Sequence, residues 1–226
     1  LLGAAFGAFL GAFIVRFRLP PFLVTLAGMF LARGVAFLIS PRSLAIRDPF
    51  FTVTAPETLA LPLGGGATWP WSASVFVLVA LCGGFVLRRT AFGRRVYAIG
   101  DDETAATYLG VPVGPTRIGV YAVAGACSAF AGVVYAVYTQ SGDPAACQGL
   151  ELDAIAAVVI GGATLSGGAG GVAGSVLGVL TLGLVQTHVA FHGGLNAWWT
   201  RIFVGGLLLA FVAAGRLVES IGRRRV

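Results

Sequence analysis

Asp143, Glu151 and Asp153 are the residues nearest to an acid–base set, yet no His or Lys stands near them in the sequence. Bond-breaking chemistry needs paired carboxylates, or a nucleophile with its base, held at one depth. The rest of the chain does not supply the missing base. It contains no Lys, and His188 and His192 have no neighbouring acid or Cys to complete a metal site. Cys82, Cys127 and Cys147 are scattered and odd in number, which gives neither a disulfide framework nor a metal spacing. A phosphate-binding loop needs a Lys to reach the phosphates, and this sequence has none to build one. No catalytic residue, metal or cofactor is expected.

Composition sets the elements that carry these residues. Of 226 residues, 57% are hydrophobic and only 11% are charged. A soluble domain carries about a quarter charged residues, so the natural solvent for this surface is lipid. All fifteen basic residues are Arg, with a formal net charge of +6. They fall mostly at the ends of apolar stretches rather than on a basic face with interleaved aromatics. That pattern argues for membrane orientation and against nucleic-acid binding.

Apolar periodicity predicts spans over 1–15, 22–39, 71–87, 118–138, 172–190 and 199–215. Gly3, Gly7 and Gly11 share one face of the first, and Gly170, Gly174 and Gly178 share one face of the helix over 172–190. Arg33 lies inside the second span, where it must face protein or water, or snorkel. Residues 40–70, with Pro41, Pro49, Pro56, Pro62 and Gly64-Gly65-Gly66, read as an exposed loop. Residues 154–165 are apolar but reach only about 18 Å as a helix, against a hydrocarbon core of about 30 Å. With the glycines that follow, residues 154–171 are expected to make one broken crossing. Counting arginines puts Arg16, Arg18, Arg88, Arg89, Arg94, Arg95, Arg117 and the tail on the cytoplasmic side. The acidic 139–153 stretch then faces outward.

On the Arg-rich side, residues 100–110 read as one short helix. Asp101 or Asp102 can cap it, and Gly110 with Pro112 can stop it. A helix this short is marginal alone in water, so the membrane body or another protein must hold it.

Three stretches make a family resemblance. The string RRVYAIGDDETAATYLGVPV (94–113) resembles the cytoplasmic loop of monosaccharide-type ABC permeases, as does the more specific ELDAIAAVVIGGATLSGGAGGVAGSVLG at 151–178. With PPFLVTLAGMFLARG at 20–34, the likeness covers nearly the whole chain. VYTQSG (137–142), LVQTHVAF (184–191) and WWTRI (198–202) look most like galactofuranose permeases; ribose-type relatives lack the paired Trp198-Trp199.

The resemblance implies an all-α polytopic transmembrane bundle, a single permease domain over 1–226, with residues 88–116 as a cytoplasmic loop carrying a coupling helix. Family members carry further spans before the region matching Leu1, including a GGxDLSVG motif, so the chain is expected to be an N-terminally truncated piece. The implied partners are the lipid bilayer, a cytoplasmic ABC ATPase, a periplasmic sugar-binding protein and a second permease subunit, identical or not. Asp101, Asp102, Glu103, Ala105, Ala106, Leu109 and Gly110 would carry the coupling contact. Thr25, Gln140, Glu151, Asp153 and Gln186 are the candidates for the sugar's path. Ribose, a branched-chain amino acid, or a carrier outside the ABC class are the alternatives.

Overall fold

The computed structural model describes residues 1–47, 59–60, 68–164, 167–191, 202, 205–206 and 209–210. In chain order the helices are α1 (Leu2–Phe17), α2 (Pro21–Ile39), α3 (Trp71–Arg89), α4 (Ala91–Asp101), α5 (Glu103–Tyr108), α6 (Val113–Thr139), α7 (Leu150–Ile160) and α8 (Val172–Phe191). Two antiparallel pairs of two-residue strands, β1 (Leu44–Ala45) with β4 (Ser141–Gly142) and β2 (Leu59–Ala60) with β3 (Thr68–Trp69), are the only extended pairings among the described residues. The helices α2, α3, α6 and α8 are long and apolar enough to cross a bilayer, and α1 is apolar but shorter. Large apolar side chains point outward: Phe30 is 61%, Leu81 69% and Leu184 72% exposed. Such a surface is inside out for water and suited to lipid. Contacts divide the chain into two units, Leu1–Val79 with Thr107–Ala146, and Ala80–Ala106 with Cys147–Val226.

The first unit is built on α1 against α6. The predicted glycine face of α1 is the contact face. A Cβ on Gly7 would strike the Tyr121 carbonyl, and one on Gly3 the Gly125 carbonyl. Gly125 is equally restricted by the Gly3 carbonyl, so the backbones themselves touch. The helices run antiparallel, with Gly114 beside Val15 at the other end. The chain leaves α1 through Arg18 in the left-handed region (φ 54°) and enters α2 with Pro21 at its first position. Val24 and Gly28 are the buried residues of α2, and Gly28 abuts Leu10. Arg33 is half-buried on the same helix. β1 and β4 pair Leu44 with Gly142, and the Ile46 N–H donates to the Gln140 carbonyl at 2.9 Å. The end of α6 and the loop after α2 therefore meet at one end of this unit, as span counting requires.

The second unit contains the expected break. α7 has 11 residues and stops at Gly161. Gly162, Gly167, Gly168 and Gly170 then take positive φ before α8 begins. α8 returns antiparallel to α7, and the two meet backbone to backbone. Gly161 and Gly174 each leave no room for a Cβ because of the other's carbonyl, and Gly178 sits on the Ala157 carbonyl. Ala156 and Leu182, joined by Ile160, pack further along. Gly170 is thus not part of the α8 glycine face; it lies in the turn at φ 140°.

Two boundaries depart from the sequence expectation. α6 starts at Val113, not near residue 118. Pro115 is tolerated there because the first N–H groups of a helix lack intrahelical acceptors in any case. The polar stretch after Arg89 holds a helix the sequence reading did not place, α4, whose N-cap Thr90 accepts from the Gly93 N–H at 3.2 Å. Most of the expected span over 199–215, of the turn at 191–198 and of the 40–70 loop lies outside the described residues.

Candidate coupling segment and path residues

The segment expected as one helix over 100–110 is two. Asp101 ends α4, Asp102 breaks the helix in an extended conformation, and α5 follows at once. Between the two possible caps the structure selects Asp102. Its Oδ1 accepts from the N–H groups of Thr104 (2.8 Å) and Ala105 (3.0 Å). Its own N–H donates to the Ala98 carbonyl at 3.2 Å, so one residue joins α4 to α5 with little freedom. Gly110 adopts φ 76°, the left-handed stop that the sequence suggested.

Exposure sorts the residues of this segment. Ala106 is buried inside the chain at 2% exposure. Asp101, Asp102, Glu103, Ala105 and Gly110 are exposed. Tyr108 and Leu109 are exposed as well, at 87% and 81%. Ala105, Tyr108 and Leu109 are thus the exposed apolar residues of this segment, while Ala106 is buried within its own chain. Tyr108 was not singled out by sequence; an aromatic three residues beyond Ala105 on a short helix was its only signal.

The end of α4 is also tied to the turn between α7 and α8. The Tyr97 hydroxyl donates to the Gly170 carbonyl at 3.0 Å. A Cβ on Gly100 would lie 3.0 Å from the Gly168 nitrogen, and one on Gly168 3.2 Å from Asp101 Cα. Sequence spacing gave no hint of this contact, because it joins residues 73 apart.

Of the five path candidates, the structure brings two together. Gln186 Nε2 donates to Asp153 Oδ2 at 3.4 Å, and both residues are half-buried. The other three serve their own helix ends. Thr25 Oγ1 donates to the carbonyls of Pro21 (3.0 Å) and Phe22 (3.1 Å). Gln140 is the left-handed C-cap of α6 at φ 50°. Glu151 Oε2 accepts from the Gly149 N–H at 3.1 Å, at the start of α7.

Apolar helices of spanning length, a broken hairpin and an amphipathic insertion on the Arg-rich side define a polytopic helical membrane protein. Residues 1–212 match the family described as branched-chain amino acid transport system / permease component, and the chain belongs to that family. It is 43% identical to the inner membrane ABC transporter permease protein YjfF of Escherichia coli, over 100% of this chain and 67% of the relative. It is 35% identical to the fructose import permease protein FruG of Bifidobacterium longum, over 98% of this chain and 66% of the relative. It is also 35% identical to the ribose import permease protein RbsC of Escherichia coli, over 93% and 65%. The chain thus spans about two thirds of the length of these relatives. No solved structure matches it. Membership places the chain among transport subunits, not enzymes, and in the inner membrane as a multi-pass protein.

Proposed function

We propose that this chain forms part of the translocation path of an ATP-driven importer for a monosaccharide, with galactofuranose as the substrate. The observation that carries the importer reading is α5. It is a six-residue helix capped by Asp102 and stopped by Gly110; it exposes Ala105 and Tyr108, with Leu109 exposed just beyond it, on the side the arginines assign to the cytoplasm. A helix this short persists only when held, and its outer face is apolar enough to dock on a partner. The partner is a cytoplasmic ABC ATPase, since the chain has no Lys for a phosphate-binding loop of its own. A periplasmic sugar-binding protein and a second permease subunit complete the assembly.

Two of the relatives support a sugar, since they are import permeases for fructose and ribose. Galactofuranose is favoured over these by the strings at 137–142, 184–191 and 198–202, which include Trp198-Trp199. Transport would proceed by alternating access, the partner's closure being passed through the docked helix to the spans. Competitive uptake tests the substrate. Vesicles holding the assembled importer should accumulate labelled galactofuranose, with unlabelled ribose, fructose and leucine competing at least about tenfold more weakly. Preferential uptake of ribose, fructose or leucine would reassign the substrate.

A further inference from the structure

The strongest unabsorbed feature is the junction between α4 and the α7–α8 turn. Each of its two sides is held by local hydrogen bonds. On one side, Asp102 ties the end of α4 to the start of α5: its side chain accepts from the Thr104 and Ala105 N–H groups and its own N–H donates to Ala98. On the other, the turn is locked by Thr164. Its hydroxyl donates to the Gly167 carbonyl at 2.6 Å, and its N–H donates to the Ala169 carbonyl at 3.1 Å. The hairpin beyond is locked by the Gly161–Gly174 and Gly178–Ala157 backbone contacts.

Between the two sides, glycines allow the backbones to come close. Gly100 meets Gly167 and Gly168 through backbone atoms, and Gly168 also meets Asp101. Tyr97 adds one directional bond, from its hydroxyl to Gly170. Backbone surfaces in contact cannot absorb a displacement by changing rotamers, so a shift on one side moves the other. The far end of the moved hairpin carries Asp153 and Gln186.

We propose that Tyr97, with the Gly100–Gly168 contact, is the joint through which displacement of α5 moves the α7–α8 hairpin. Tyr97 is a positioning residue: it touches no substrate but keeps the turn registered on α4. The proposal rests on the importer reading above.

The test uses the full permease assembled with its ATPase and binding protein in vesicles, supplied with labelled galactofuranose, ribose and fructose in parallel. Tyr97→Phe removes the donor and keeps the ring. Gly168→Ala places a Cβ against Asp101 at a φ of 79°. Both variants should capture the ATPase and hydrolyse ATP, while sugar accumulated per ATP falls about three- to tenfold for loss of one such bond. If Gly168→Ala fails to insert, Tyr97→Phe alone decides. Unchanged accumulation per ATP in Tyr97→Phe overturns the joint, and so does a proportional fall in hydrolysis and accumulation, which would indicate a merely structural loss. A wild-type chain that captures no ATPase sinks the importer reading itself, and the joint with it.

Discussion

Gln186 on α8 donates to Asp153 on α7 at 3.4 Å, closing the α7–α8 hairpin at the end away from its glycine turn. Two residues picked separately as polar groups for a sugar are therefore one pair. The bond is long, hence weak, and a sugar hydroxyl could replace either partner at little cost. Gln186→Leu is predicted to raise the KM for uptake about three- to tenfold, because it deletes a donor the sugar can use. The thermal midpoint of the detergent-solubilised protein should fall by no more than about 4 °C, as expected for one half-buried bond. An unchanged KM would remove the pair from the path.

The hairpin offers a matched comparison on one helix. A Cβ at Gly178 would strike the Ala157 carbonyl, whereas nothing lies within 4 Å of one at Gly183. Gly178→Ala should therefore lower the yield of folded membrane protein severalfold, as overpacking by about 1–3 kcal/mol does. Gly183→Ala should express like wild type, helped slightly by the better helix former. Size-exclusion profiles of the two variants provide the check. Equal behaviour would mean that α7 and α8 do not pack on these glycines.

The glycine faces were legible because four-residue spacing has one physical meaning on a helix. Gly3 and Gly7 on α1, and Gly174 and Gly178 on α8, are all in backbone contact. The broken crossing was legible from length alone, since α7 is too short to span. α4 was missed because Gly93 and its arginines look like loop. In fact Gly93 is buried against the Leu87 carbonyl, where no other residue fits. Gly170 was read as helix face because spacing cannot report φ. The inward turn of Ala106 and the Tyr97–Gly170 bond depend on tertiary packing, which a local pattern does not encode.

The Arg-based orientation predicts a labelling pattern. The loop after α2 and the end of α6 are joined by the Leu44–Gly142 pairing, so they must share a side. In a chain with Cys82, Cys127 and Cys147 replaced, Leu44→Cys and Gly142→Cys should react with an impermeant maleimide in intact cells opened only at the outer membrane. Arg95→Cys should react only after the inner membrane is permeabilised. The reverse pattern would invert the topology.

Gly110 ends α5 at φ 76°, and nothing lies within 4 Å of a Cβ there. Gly110→Val thus acts through backbone strain alone, about 1–2 kcal/mol for a β-branched residue in the left-handed region. Membrane yield should stay near wild type while ATPase capture weakens about tenfold. Gly110→Asn, which tolerates that conformation, should restore capture. Failure of Asn to rescue would show that the glycine matters for another reason.

Capture of the ATPase by α5 variants bears most directly on what this chain does. Ala105→Arg and Leu109→Asp alter exposed positions, so membrane yield should be unaffected. Ala106→Arg forces a charge into a position that is 2% exposed, and should lower yield instead. Immobilised permease carrying Ala105→Arg or Leu109→Asp should retain less than about a tenth of the ATPase held by wild type, as for loss of a central interface contact. Full retention of the ATPase by both variants, with wild-type sugar uptake, would contradict the assignment of α5 as the coupling element.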